Sequence, residues 1–453
     1  MAAPHAHAAG TDRPPTSDRA RRLLALLLVP FAVATAIGVA VLWPGTTGSP
    51  LSPELGAPQE LFDAEVVSVE RGSCTGTPPD AGIRCARAEA RLLEGPDEGR
   101  VIRLQEQSEA GAAPLLQIED VVVLGYYPGA GEGFEYSFAD RQRRVPLAVL
   151  TVIFVAAVVG LGRWKGLRAI LGLGISLLVL TGFVLPAILQ GTSPLAVALV
   201  GSAVIAAAAL YLAHGLNAWT TTALIGTLAS LVLVGVLASV FVDAAQFTGL
   251  ADEEATFLQV TAGQVDLRGL LLGGIVIGAL GVLDDVTVTQ VSAVWELHEA
   301  KPDYGRWNLY RAAVRIGRDH IASTVNTLVL AYAGASLPLF LLFTQADQGL
   351  VDVVNGEAVA VEVVRTLAGS VGLVASVPLT TALAALVVTE GGGRTAGRRK
   401  EQPRSGDPRR FRSRAEERFW EQDQPPARSG GRASRRPAAP RADEGPTDSG
   451  ERS

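Results

Sequence analysis

The chain is short of several things that a soluble enzyme of its length carries. Only 19% of its 453 residues are charged, against 48% that are hydrophobic. The apolar residues sit in long blocks that lack charge altogether, which a soluble core does not need, so a freely soluble enzyme is excluded. Lysine is nearly missing: of 39 basic residues only Lys165, Lys301 and Lys400 are lysines. With a single methionine and 49 glycines, that pattern reads as GC-rich coding bias rather than function. There are only two cysteines, and no Walker A sequence, HExxH, zinc-type cysteine set or nucleotide fingerprint. Metal and nucleotide chemistry therefore have no sequence support, and neither does nucleic-acid binding. No cofactor is expected, and the chain is not expected to be an enzyme.

What is present is a series of apolar segments near the twenty or so residues that cross a bilayer as a helix. Eight qualify: 23–43, 146–162, 169–189, 194–213, 220–242, 269–294, 321–343 and 366–388. The first follows Arg19, Arg21 and Arg22 and resembles a signal peptide; its length and the lack of a small-residue cleavage site favour an uncleaved anchor. Residues 1–22 form its cytoplasmic flank, and 146–390 a domain of seven helices. Arg163, Lys165 and Arg168, then Lys301, Arg306, Arg311, Arg315 and Arg318, fall in connections on the flank's side. Connections 243–267 and 344–362 contain no Lys or Arg. By the positive-inside rule both termini are cytoplasmic, and the even number of helices agrees.

Residues 50–145 then lie outside, with 17 acidic and 9 basic side chains. Five β-rich stretches (64–70, 86–93, 100–107, 120–127 and 134–138) separated by Gly and Pro predict a small antiparallel sheet or an OB-like barrel. Cys74 and Cys85 both fall here and are expected to form a disulfide; the alternative, a metal or redox site, lacks further ligands. Residues 391–453 carry 16 basic against 10 acidic residues and too few apolar ones for a core, so a disordered tail is expected. Within it Arg409–Trp420 has the spacing of an amphipathic surface helix, though a solvated tail explains it more simply.

The segment 269–294 carries the chemistry. Gly273, Gly274, Gly278 and Gly281 offer close-packing faces, and Asp284 and Asp285 follow, about 5 Å to the cytoplasmic side of the span's midpoint. A carboxylate at that depth costs about 2.5 kcal/mol or more unless it is protonated, paired or hydrated. Adjacent carboxylates also repel, so at least one is a candidate for reversible protonation. The plainer account is an early helix end capped by the pair; the uncharged run 286–295 argues against it. Helical spacing puts Asp285, Thr289 and Ser292 on one face. From the next span Ser323, Asn326 and Thr327 approach the same depth, Asn326 about 9 Å to the cytoplasmic side of its midpoint. Ser376, Thr380 and Thr381 lie beside Pro378 in the last span. Acids, hydroxyls and an amide in one layer have the composition of a proton or cation path. The competing account is that Ser and Thr simply glue helices together.

The signatures GGIVIGALGVLDDVTVTQ (273–290), Glu296–Leu297 and GRDHIASTVNTLVLAYAGASLPL (317–339) resemble the YibE/YibF-like family of bacterial multi-pass membrane proteins, over roughly residues 60–390. The resemblance implies a bacterial cell (inner) membrane protein and leaves its activity undefined. A weaker similarity connects the helix order and the Asp position with SecD/SecF and resistance-nodulation-division transporter cores. The chain departs from these in having two extra helices and a smaller outside domain. The expectation is an all-α polytopic membrane protein that moves protons through the Asp pair to drive transport or assist export. The alternative is a non-transporting scaffold or sensor that binds a partner through its outside domain. Beyond the lipid bilayer, the cargo or protein partner is unspecified, and self-association into a homo-oligomer is left open.

Overall fold

In the computed structural model, residues 17–45, 60–74, 84–108, 116–131, 135–345 and 349–391 are described. The expected tail with its Arg409–Trp420 stretch, the first part of the N-terminal flank and the start of the outside domain lie outside these residues. Helix α1 (Asp18–Leu42) starts where the Ser17 side chain accepts from the Ala20 amide, so Arg19, Arg21 and Arg22 are already helical. An antiparallel sheet follows, made of β1 (Glu60–Ser73), β2 (Arg84–Leu92), β3 (Val101–Arg103), β4 (Gln107–Ser108), β5 (Val121–Tyr126) and β6 (Tyr136–Arg141). Its order is β3-β2-β1-β5-β6, with β4 on β2. The third expected strand is thus split into β3 and β4. No pairing closes the sheet into a barrel among the described residues.

Alternation explains the sheet. Ala64 and Val66 of β1 and Ala88, Ala90 and Leu92 of β2 point to one face and, with Val122, Leu124 and Tyr136, form its core. β1 and β2 pair from Ala64↔Leu92 to Ser73↔Arg84, and the Cys74–Cys85 disulfide ties the far end of this hairpin. At the near end Gln142 and Arg144 both donate to the Asp63 carboxylate, at 2.9–3.1 Å, so β6 passes directly into the next helix.

That helix, α2 (Arg144–Val179), continues through a π-helical turn (Leu180–Val184) into α3 (Leu185–Leu189). The apolar run totals 46 residues, about 69 Å at 1.5 Å per residue and over twice a bilayer core. It is broken at Arg163, whose φ of 50° and ψ of −129° are not helical. A Cβ on Gly166 would collide with the Val158 carbonyl, eight residues earlier, so the chain folds back at this break. The segments expected at 146–162 and 169–189 are the two arms.

The remaining helices are α4 (Pro194–His214), α5 (Ala218–Ala244), α6 (Glu253–Thr261), α7 (Leu267–Ala300), α8 (Arg306–Ala335), α9 (Leu337–Gln345), α10 (Leu350–Asn355) and α11 (Glu357–Gly391). Asn217 caps α5 and Asp266 caps α7, each accepting a backbone N–H at 2.9 Å. α5 is buried along most of its length between α4, α7 and α11, and their apolar side chains make the main core. Glycines let these helices approach: Gly273 of α7 faces Pro194 and Ala198 of α4, and Gly372 of α11 faces Val234 of α5. The span expected at 321–343 differs most. The basic stretch before it is helical, because Leu309, Ala313 and Gly317 recur at four-residue spacing and are buried, and α8 then ends before Leu337 and Pro338. Among the described residues, six helices are long and apolar enough to cross a membrane. Their outer surfaces carry exposed Leu, Val and Ile, from Leu26 and Val41 of α1 to Val149 and Leu150 of α2, which only a bilayer can cover on this scale. The chain is an integral membrane protein.

Candidate functional site

The acids of α7 lie near the middle of that helix, about 16 Å along it from Trp295, which is buried with Trp219 of α5 in a second apolar cluster. Asp284 and Asp285 have different surroundings. Successive helical residues are rotated by about 100°, so Asp285 is exposed on the outer face of α7 while Asp284 turns partly inward. Asp284 borders a cleft of about 210 Å³ between α7, the second arm of α2 and the end of α4. Its walls are mostly small: Ala169, Gly172 and Ser176 of α2, and Ala209 and Ala213 of α4, with Leu173 and Leu210. His214 stands at the end of α4 and stacks edge-on against Trp219, 4.9 Å between ring centres. Asp284 Oδ1 is buried and accepts no hydrogen bond among the described residues. A buried oxygen left that way is costly unless it carries a proton or meets water.

The adjoining buried face of α7 carries a different kind of polarity. Thr287 and Thr227 of α5 share a hydrogen bond of 2.7 Å between hydroxyls, and Thr287 also donates to the Asp284 carbonyl at 3.1 Å. Gln290 donates from Nε2 to the Ala313 carbonyl of α8 at 2.8 Å and to Thr381 Oγ1 of α11 at 2.7 Å. Thr381 in turn donates to the Val377 carbonyl at 2.6 Å, and Ser376 to the Leu373 carbonyl at 2.8 Å. The buried Thr380 hydroxyl faces Gly226 of α5. This seam is satisfied almost throughout and joins four helices without reaching the Asp284 side chain. Here the glue account of Ser and Thr holds.

The structure does not gather the remaining expected residues around Asp284. Thr289 is exposed on the same outer stripe as Asp285. Ser323, Asn326 and Thr327 are exposed on α8, and Thr327 donates back to the Ser323 carbonyl at 3.0 Å. Their level along the helices agrees with expectation. Tyr332 beside Gly278, and Gly317 beside Gln290, fix the antiparallel register, which sets Asp285 opposite the 322–325 turn. Depth follows from counting residues, whereas facing depends on helix rotation, and α8 turns this edge outward.

Sequence reasoning read His214 as part of a short turn with Asn217 and Trp219, whereas His214 is the last residue of α4. It left out Ser176 of the cleft, Gln290 as the main cross-link, and an ion pair inside α11. Glu362 and Arg365 lie within that helix, 2.7 Å apart, because α11 begins at Glu357, well before the expected start. Opposite charges three residues apart ahead of an apolar run were the available signal for the last of these. Among the described residues no group of His, Cys, Asp and Glu is arranged to hold a metal.

Residues 150–390, from α2 to the end of α11, match the family model described as YibE/F-like protein. The sheet lies outside that match, which is narrower than the span of residues 60–390 expected from the signatures. No curated protein and no solved structure matches the chain. The matched stretch covers more than half of the 453 residues, and the chain belongs to the YibE/F-like family.

Proposed function

We propose that this YibE/F-like chain is a proton-coupled transporter or export-assisting protein of a bacterial cell membrane, with Asp284 as its coupling carboxylate. The observation that carries this reading is the buried, unpartnered Asp284 Oδ1 at the middle of α7, beside a cleft. Ionised, this group favours an arrangement of α2, α4 and α7 that lets water or a cation near it. Protonated, it tolerates a closed apolar arrangement, so binding and release of one proton shift the balance between two packings. Asp285 faces outward and is assigned no part in the coupling.

The proposal includes a topology. Arg163, Lys165 and Arg168, and Lys301 to Arg318, are assigned to the cytoplasmic side together with both termini, supported by the lack of Lys and Arg in 243–267 and 344–362. Eight crossings follow if the arms on either side of Arg163 each cross, and if the second half of α8 crosses with α9. The sheet is then extracytoplasmic, where the Cys74–Cys85 disulfide would persist. Packing changes would reach it through α1, whose outer end is tied to the end of α3: Gln190 exchanges hydrogen bonds of 2.8 and 3.0 Å with the Gly45 backbone, and Trp43 stacks on Phe183.

The test is dissipation of an imposed pH gradient in proteoliposomes. Wild-type protein should carry protons, and the Asp284→Asn/Asp285→Asn double variant, reconstituted to the same density, should not. Equal rates would remove the mechanism and favour the rival, a non-transporting scaffold or sensor whose function fails on deletion of residues 50–145 and survives neutralisation of the acids.

A further inference from the structure

The cleft beside Asp284 has a direction. α4 and α7 run parallel, with Pro194 against Gly269 and Ala198 against Gly273, and this register brings Ala209 level with Asp284. From Ala209 to His214 is five residues, about 7.5 Å along α4, and there the helix stops at Gly215, whose φ of 80° ends it. The cleft therefore links a carboxylate at the middle of α7 to the short 215–217 turn. That turn is surface: Leu216 is 85% exposed. On the other side α2 supplies Gly172, which lies in ordinary contact with the Ala209 backbone, 3.6 Å from a would-be Cβ to Cα. Small side chains at 169, 172, 209 and 213 keep the space open where leucines would fill it.

We propose that this cleft is a hydrated half-channel through which protons pass between the surface at His214 and Asp284, a step that rests on the coupling role given to Asp284 above. A volume of about 210 Å³ accommodates a short file of waters at roughly 30 Å³ each. Water there has polar contacts at both ends and between: the Asp284 carboxylate, the His214 imidazole, and the lone pairs of Ser176, whose hydroxyl proton is donated to the Gly172 carbonyl at 3.0 Å. In the loading step a water of the file gives a proton to the Asp284 carboxylate, and a proton from the surface, taken up by water or by the His214 imidazole at the mouth, restores the file. Release is the reverse. His214 is the titratable group that α4 brings to the cleft, α2 brings none, and Asp285 follows on α7 but faces away.

Thiol chemistry tests the path separately from transport. The only two cysteines are joined to each other, so the full-length chain gives a clean background for single cysteines. Ala213→Cys and Ala209→Cys should react with a small charged methanethiosulfonate reagent, which requires water. Their rates should lie within about a hundredfold of Leu216→Cys, and well above Val152→Cys on the lipid-exposed arm of α2. Ser176→Cys gives a second reading from the facing helix should a substitution in α4 disturb folding. Rates at 209 and 176 as slow as at 152 overturn the half-channel. In proteoliposomes, modification of Ala209→Cys should lower proton flux to the Asp284→Asn level, and labelling that leaves flux intact also overturns the path. Labelling at 209 and 176 in a protein that moves no protons even unmodified leaves the cleft water-filled and rejects the transport reading instead.

Discussion

At the scale of single residues, neighbours in sequence have separate fates. Asp284 and Asp285 are adjacent, yet one borders a cleft and the other faces outward, and only the first has a buried, unpartnered oxygen. The cost of intramembrane charge made this dipeptide legible in the sequence; its division of labour was not, because depth is a count of residues while facing needs the packed partners. Gln290 illustrates the same gap. As one polar residue among several it drew no special notice, but its amide joins α7, α8 and α11. Gln290→Leu should lower the melting temperature in mild detergent, by the equivalent of about 1 kcal/mol, since it removes the side-chain bonds that tie α7 to the Ala313 carbonyl of α8 and to Thr381 of α11. Thr381→Val should cost less, because Gln290 keeps its bond to Ala313. In the sheet, Tyr136 is buried and donates to Asp97 at 2.9 Å, and burial first, then that bond, pushes its phenol up to about 12. A phenol raised in the folded state stabilises fully below its unfolded value near 10 and loses that contribution as pH rises through 12. Unfolding followed from pH 9 to 12 should show the sheet weakening across this window, and Tyr136→Phe should flatten the slope.

At the scale of elements, small residues decide which helices touch. The glycines of α7 read in sequence as packing faces, and part of that is realised: Gly269 and Gly273 receive Pro194 and Ala198, whereas Gly274 and Gly281 have nothing within 4 Å of a would-be Cβ. Gly372→Ala should therefore destabilise by about 1–3 kcal/mol, through collision with Val234 of α5. Gly274→Ala should be neutral or slightly stabilising, as alanine is the better helix former. Paired thermal melts check both, and equal effects would contradict the packing. The break in α2 falls at the start of the connection expected at 163–168: Arg163 holds a φ of 50° between Gly162 and Gly166, and Gly166 meets the Val158 backbone. The start of α8 was harder to foresee. α8 was extended backwards by the buried spacing of Leu309, Ala313 and Gly317, a pattern hidden among four arginines. There Trp307 stacks on Tyr310 and carries Arg311 over its ring, so the basic stretch is an ordered helical surface rather than a loop.

At the scale of the whole molecule, the coarse architecture was legible: long apolar blocks that form helices, and one β-rich insert that forms an antiparallel sheet. These signals are strong because bilayer thickness and backbone hydrogen bonding permit few solutions. The proposed topology predicts that in intact cells an impermeant thiol reagent labels Gln246→Cys and Glu253→Cys but not Leu216→Cys; the reverse pattern would invert the assignment. The candidate site was legible as a dipeptide in one apolar helix, while the cleft beside Asp284 needed the second arm of α2 packed against α4. The central claim, that Asp284 alone carries the coupling proton, is tested most directly by proton flux in proteoliposomes for Asp284→Asn and Asp285→Asn made separately, across pH 5–8. Flux abolished in the first and retained in the second is the predicted result. Equal loss in both, or no loss in Asp284→Asn, would contradict it.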